Sequence, residues 1–201
     1  MTERSFHHGN LRAVLLERAE LMLQAEGVHS LSLRELARQA GVSHGAPRSN
    51  FLDRQALLDA LAARGFERLT DSVQAASRSA GGFEVQFREV ARSYVSFAVE
   101  NAALMELMFT VKAADATGPV RAAAEQLFRV LDFALDGQRS EGSDDDAAQR
   151  LKLLFAATMQ GIASLRVAHR VTDEQGDRLL EDAVDELLGS SMLARARSAK
   201  A

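Results

Sequence analysis

Leucine and alanine recur at steps of three and four along nearly the whole chain, and no stretch alternates apolar and polar residues long enough to indicate a strand. The pattern predicts an all-α fold of about nine helices. A first helix is expected over 10–26, with Leu11, Val14, Leu15, Ala19 and Met22 on one face and Gly27 ending it. Ser32 and Glu35 stand at the spacing of a capping box. They open a short helix over 33–40, with Leu33, Leu36 and Ala37 inward. Gly41 turns the chain, and Ser43 is placed to cap a third, very short helix reaching about Asn50. Pro47 lies close enough to its start to be tolerated. Asp53 is the expected cap of a long fourth helix carrying Leu57, Leu58, Leu61, Ala62 and Phe66.

Gly81-Gly82 interrupts the periodicity, which resumes over 83–99 and 102–114. Gly118-Pro119 is the next break, and 120–135 reads as another helix. From Gly137 to Asp146 the chain is a solvated loop. Its aspartates suit the start of the next helix and lack the ordered spacing of a calcium loop. Two long helices follow, over 147–169 and 172–188. The first has an apolar row at Leu151, Leu154, Phe155, Thr158, Ile162 and Leu165, and a row of small residues at Ala157, Gly161, Ser164 and Ala168. The second offers Leu179, Leu180, Ala183, Val184, Leu187 and Leu188. Two readings stand for these helices: intrachain core, or a two-fold interface through Ala157, Gly161, Ser164, Ala168, Leu180, Ala183, Val184 and Leu187.

Composition narrows the class. The 201 residues are 47% hydrophobic and 26% charged, which does not fit a disordered chain. The absence of cysteine excludes disulfides, thiolate nucleophiles and Cys-ligated zinc. No signal-peptide h-region follows the first residues and no run of about 18 apolar residues occurs, so a soluble, cytoplasmic protein without a membrane span is expected. The formal charge of -4 gives no global sign of nucleic acid. Residues 1–60 nevertheless balance seven arginines against seven acidic groups and hold four of the five histidines. A basic field there would have to be local.

The most informative unit is the pair of short helices over 33–40 and 43–50. Ala37, Ala40, Gly41 and Val42 are the small and apolar residues that a tight helix-turn-helix requires. The second helix of such a pair presents its polar groups to the major groove, here His44, Arg48, Ser49 and Asn50. Arginine reaches a guanine edge or a phosphate, and asparagine an adenine or a phosphate. The helix starts near Ser32 and Ser43 offer backbone N–H groups to phosphates.

The stretch His7-His8-Gly9-Asn10-Leu11-Arg12, then Leu33 through Ser43, then Ala46-Pro47 and Phe51, resembles the N-terminal domain of TetR-family transcriptional regulators. The match is dense over 6–66. The resemblance implies an all-helical homodimer bound to double-stranded operator DNA. Each subunit would have a three-helix DNA-binding domain with a helix-turn-helix (1–52) and a larger helical ligand-binding and dimerisation domain (53–201), joined by the helix from 53. It also implies contacts at Ser32, Arg34, Ser43, His44, Gly45 and Arg54. Where the family often carries tyrosine and histidine in the recognition helix, this chain has Arg48 and Asn50, so its operator is not inferred from a relative. The C-terminal part resembles one subgroup, with Gln160-Gly161 where a His-Gly pair is usual.

The resemblance further implies a repressor released from DNA by a small, largely apolar effector. Candidate effector contacts are Phe66, Phe87, Phe97, Met105, Met108, Phe109, Phe128, Phe155 and Met159, with Tyr94, Asn101, Thr158 and Gln160 as polar groups. Core packing is the ordinary reading of each apolar one. No His-Glu-x-x-His, glycine-rich phosphate loop or nucleophile elbow occurs, so neither an enzyme nor a bound metal or cofactor is expected. The alternative is a helical dimeric ligand-binding or structural protein without specific operator recognition.

Overall fold

The computed structural model describes residues 11–110, 118–136 and 144–197. The expectations for the arm with His7 and His8, for 111–114 and for 137–143 lie outside the described residues. Among the described residues there are nine α-helices and no strand: α1 (Leu11–Glu26), α2 (Leu33–Ala40), α3 (Arg54–Ala76), α4 (Phe83–Glu100), α5 (Ala102–Thr110), α6 (Pro119–Asp136), α7 (Asp145–Val167), α8 (Asp173–Leu188) and α9 (Ser191–Arg197). A single 3-10 turn, Val28–Ser30, separates α1 from α2.

Local caps, some expected and some not, explain several boundaries. Asp53 Oδ1 accepts from Ala56 N at 2.8 Å and starts α3. Asp144 accepts from the amides of Asp146 and Ala147 and starts α7. Thr172 and Gln175 form a complete capping box at α8. α7 stops two residues before His169, which takes a left-handed φ of 51°. The amides of His169 and Arg170 bond back to Arg166 and Leu165, closing the last turn.

Two differences from the periodicity have local causes. The expected third helix is a run of turns over 44–50. Pro47 has no N–H, so the Ser43 carbonyl is taken by Ala46 N at 3.0 Å. The Asn50 side-chain amide then takes the Ala46 carbonyl at 2.9 Å, while Asn50 N bonds to Pro47 O. A short polar side chain thus competes for the bond that an α-helix would have used. α9 was not legible, since seven residues are too few to show a period. Ser190 Oγ accepts from Leu193 N at 3.1 Å at its start, and Leu193 and Ala196 are buried.

The described residues gather into two compact units, one from 11–66, 101–110 and 118–123, the other from 67–100, 124–136 and 144–197. In the first, α1 packs on α2 and α5. Its core includes Leu15, Ala19, Met22, Leu36, Phe51, Leu57 and Leu61. α3 comes close to α5 at Gly65: a Cβ there would lie 2.5 Å from Met108 Sδ and 3.1 Å from Leu104 Cγ. In the second unit α7 is central and packs on α4, α8 and α9. Phe155 lies at its heart, edge-on to Phe87 at 5.5 Å and to Tyr94 at 6.3 Å. Lys152, buried on α7, pairs with Asp132 on α6 and lies 5.5 Å over the Phe128 ring. No helix among the described residues is long and apolar enough to cross a membrane.

Candidate nucleic-acid interface

α2 begins at Ser32, whose extended backbone lets its hydroxyl accept from Glu35 N at 3.1 Å. The reciprocal half of the expected capping box does not form. The Glu35 carboxylate instead accepts from Arg38 and from Gln39 Nε2, which lowers its pKa to about 2, with the Arg38 bond the larger cause. α2 ends at Gly41 in the left-handed region, with Gly41 N bonded to Arg38 O and Val42 N to Ala37 O. This is the turn that Ala37, Gly41 and Val42 promised in the sequence, and it directs the chain into 44–50.

The recognition segment is pinned from below. Pro47 and Phe51 are buried, and Phe51 N bonds to Pro47 O at 2.8 Å. The Arg12 guanidinium caps the Phe51 ring at 5.3 Å, a contact the apolar pattern gave no means of finding. Above this anchor, Leu33, Arg34, His44, Gly45 and Arg48 line a groove of about 580 Å³. Arg34, His44 and Arg48 are exposed. No hydrogen bond or ion pair engages either guanidinium among the described residues. The groove therefore presents two exposed cations beside the first residues of α2, an arrangement able to hold phosphate. Leu33 was expected to face only inward; its half-buried side chain is also part of the groove wall.

The other expected contacts fall differently. Ser43 is exposed at the turn, as is Ser32 in part. Ser49 Oγ donates to Gly45 O at 3.3 Å and Asn50 Nδ2 to Ala46 O, so both polar groups are turned onto their own segment. Arg54 is folded back: its Nε donates to Leu31 O and its Nη2 to Val28 O, each at 2.7 Å. The resemblance implied a DNA contact at Arg54; two of its three guanidinium nitrogens are bonded to main-chain carbonyls.

The effector candidates divide between the units. Phe66, Asn101, Met105 and Met108 are buried in the first, whereas Phe109 is 55% exposed and lies outside that core. In the second, Phe87, Tyr94, Phe97, Phe155 and Met159 are buried. Burial raises the Tyr94 phenol to about 12, so it remains a neutral donor. Gln160 Oε1 is buried with no hydrogen-bond partner. Thr158 is spent on Leu154 O at 2.7 Å, and Phe128 is exposed beside Lys152.

Of the interface candidates, Ala157, Gly161, Ser164 and Ala168 are exposed along α7, flanked by exposed Leu154 and Leu165. Leu180, Val184 and Leu187 are buried within their own unit, where α8 packs on α4 and α7, and are unavailable to a partner; Ala183 is half-buried. Arg88 and Arg92 of α4 reinforce that packing through Glu181 and Asp185 of α8.

A short helix closed by a left-handed glycine, followed by a turn segment that shares a basic groove with it in an all-helical chain, is the arrangement of a helix-turn-helix regulator. Comparison with known proteins makes this specific. Residues 87–187 match the family model for the tetracyclin repressor-like C-terminal domain. A structure of a protein of unknown function from Rhodococcus sp. RHA1 is 37% identical, covers 96% of this chain and 100% of its own, and superposes with a TM-score of 0.78. A bacterial regulatory protein in the TetR family from Rhodococcus RHA1 is 15% identical over 88% of this chain and 96% of its own, with a TM-score of 0.67. A TetR-family regulator from Streptomyces coelicolor A3 is 18% identical over 96% and 99%, with a TM-score of 0.59. No curated protein matches the chain. The chain belongs to the TetR family of transcriptional regulators.

Proposed function

We propose that the protein is a homodimeric repressor that binds a two-fold operator through the groove of Arg34, His44 and Arg48, and leaves it when a small, largely apolar effector binds among the helices of the second unit. The observation that carries this reading is the pair of exposed guanidinium groups that share the groove with the start of α2, neither in a hydrogen bond or ion pair among the described residues. Arg48 supplies a guanine-edge or phosphate contact, and Arg34 with the first-turn amides supplies a phosphate cradle. His44, also exposed on the groove, adds a hydrogen-bonding edge. The exposed row Leu154, Ala157, Gly161, Leu165 and Ala168 on α7 is the surface through which two copies would pair. The effector reading rests on the buried group of Phe87, Tyr94, Phe155 and Met159 with the unpartnered Gln160 Oε1 on the same helix.

The test is selection of duplex DNA from a random or genomic pool by the purified protein. An enriched two-fold sequence, with half-sites about 34 Å apart or a multiple of that, is the expected result. No enrichment would refute operator recognition and favour a dimeric ligand-binding protein. With the selected duplex in hand, Arg48→Ala should weaken binding and lower the slope of log affinity against log salt by about one.

A further inference from the structure

We infer that Arg54 is a positioning residue for DNA binding. Its guanidinium fixes the turn that aims the N-terminus of α2, and it acts through that helix instead of touching phosphate. The inference rests on the duplex-binding reading above.

Arg54 is the first residue of α3, whose start is set by the Asp53 cap. From there its side chain reaches back 23 residues to Leu31 O and 26 to Val28 O, both at 2.7 Å. These carbonyls belong to the first residue of the 3-10 turn and to the residue that closes it. Nε–H and one Nη2–H lie parallel on one edge of the guanidinium, so a single side chain can grip both. Leu31 is buried, and its carbonyl lies in the peptide that leads into Ser32. Holding that carbonyl fixes the peptide plane from which Ser32 takes its extended conformation and caps Glu35 N. The turn has few other restraints. Leu31 N reaches Val28 O at only 3.4 Å, and Ser30 Oγ bonds to Gly27 O at 2.8 Å. Without Arg54, the Leu31 carbonyl would need another donor, the Val28 carbonyl would keep only the long bond from Leu31 N, and the start of α2 would lose its tie to α3. Leu33 and Arg34, the first residues of α2, sit directly downstream and line the basic groove. Lysine at this position would keep the charge but present a single nitrogen, without the parallel pair of donors.

The experiment compares the full-length wild type, Arg54→Lys and Arg54→Gln on the selected duplex across a salt series, together with amide exchange at residues 28–35. Both variants should bind roughly tenfold more weakly, the scale of losing a charge-assisted bond, with the salt slope unchanged. Exchange at Glu35, whose amide is held by the Ser32 hydroxyl, should be roughly tenfold faster in both. The lysine variant keeps the charge and an aliphatic stem, so the test stands even if the glutamine variant folds poorly. Wild-type affinity in Arg54→Lys, or a slope lowered by about one in Arg54→Gln, would make Arg54 a direct phosphate contact and overturn the inference. Unchanged binding in both variants overturns it as well. If the wild type binds no duplex at all, the operator reading fails by itself; unchanged amide exchange in the variants would still overturn the clamp.

Discussion

Gly161→Ala separates the two readings of α7 that the sequence left open. Within one chain the row at Ala157, Gly161, Ser164 and Ala168 is exposed, and a Cβ built on Gly161 meets nothing within 4 Å. In an isolated subunit the substitution therefore has only its helix-propensity effect, a gain of about 0.8–1.0 kcal/mol. For a chain of this size that raises Tm by roughly 2–4 °C. If two copies pack through this row, two-fold symmetry places two new methyl groups in one contact. Overpacking costs about 1–3 kcal/mol for each inserted group, so the dimer should lose about 2 kcal/mol or more. That is roughly a thirtyfold rise in dimer Kd. Sedimentation velocity over a dilution series reads the Kd. Thermal unfolding at one fixed protein concentration reads stability, because association itself shifts Tm. A variant that is more stable and dimerises as tightly as the wild type would show that α7 pairs elsewhere, and the surface of Leu154 and Leu165 would need another partner.

Other outcomes follow from the packing and the charges. Gly65→Ala should lose about 1 kcal/mol net in chemical denaturation, because overpacking of about 1–3 kcal/mol against buried Leu104 and Met108 outweighs a helix gain of about 1 kcal/mol. A stabilised variant would contradict the close approach of α3 and α5. Phe155→Ala should cost about 3–5 kcal/mol, since a fully buried ring in contact with Phe87 and Tyr94 is removed; a loss below about 1 kcal/mol would deny it a central place in the core. The Glu35 carboxyl has a folded pKa of about 2 against the usual 4.5, so its stabilisation of α2 is present above pH 4.5 and fades as pH falls toward 2. The difference in thermal stability between wild type and Glu35→Gln should therefore shrink over that interval, and a difference independent of pH would remove the carboxylate from the explanation.

The all-helical class, most helix starts and the tight turn after α2 were legible because they depend on nearest neighbours. Ser32, Gly41, Asp53 and Thr172 act on amides or on backbone angles within a few residues of themselves. The same locality bears on His44 and Arg48, which the pattern put on one short segment, and on Arg34, which the family resemblance added: a short helix followed by a tight turn brings the three to one groove. What the sequence did not show is where a long or competing side chain finds a remote or unexpected acceptor. Arg54 was expected among the DNA contacts, and its acceptors within the chain are main-chain carbonyls 23 and 26 residues away, which no periodicity records. Asn50 was expected to reach an adenine or a phosphate, and its amide also takes a carbonyl that a helix would have used beside Pro47.

Periodicity by itself determined that α7 and α8 are amphipathic. It could not decide which apolar rows face the chain's own core, because Leu154 and Phe155, or Leu179 and Leu180, are equally apolar as letters. The tertiary structure decided that: Phe155 and Leu180 are buried, while Leu154 and Leu179 face outward. Burial is a property of what packs opposite a residue, and the opposing helices α4 and α9 lie far from α7 and α8 or are too short to leave a pattern. The sequence thus determined the elements and the turn that displays the basic groove. Only the assembled helices determined which side chains remain free to meet DNA, an effector or a second copy of the chain.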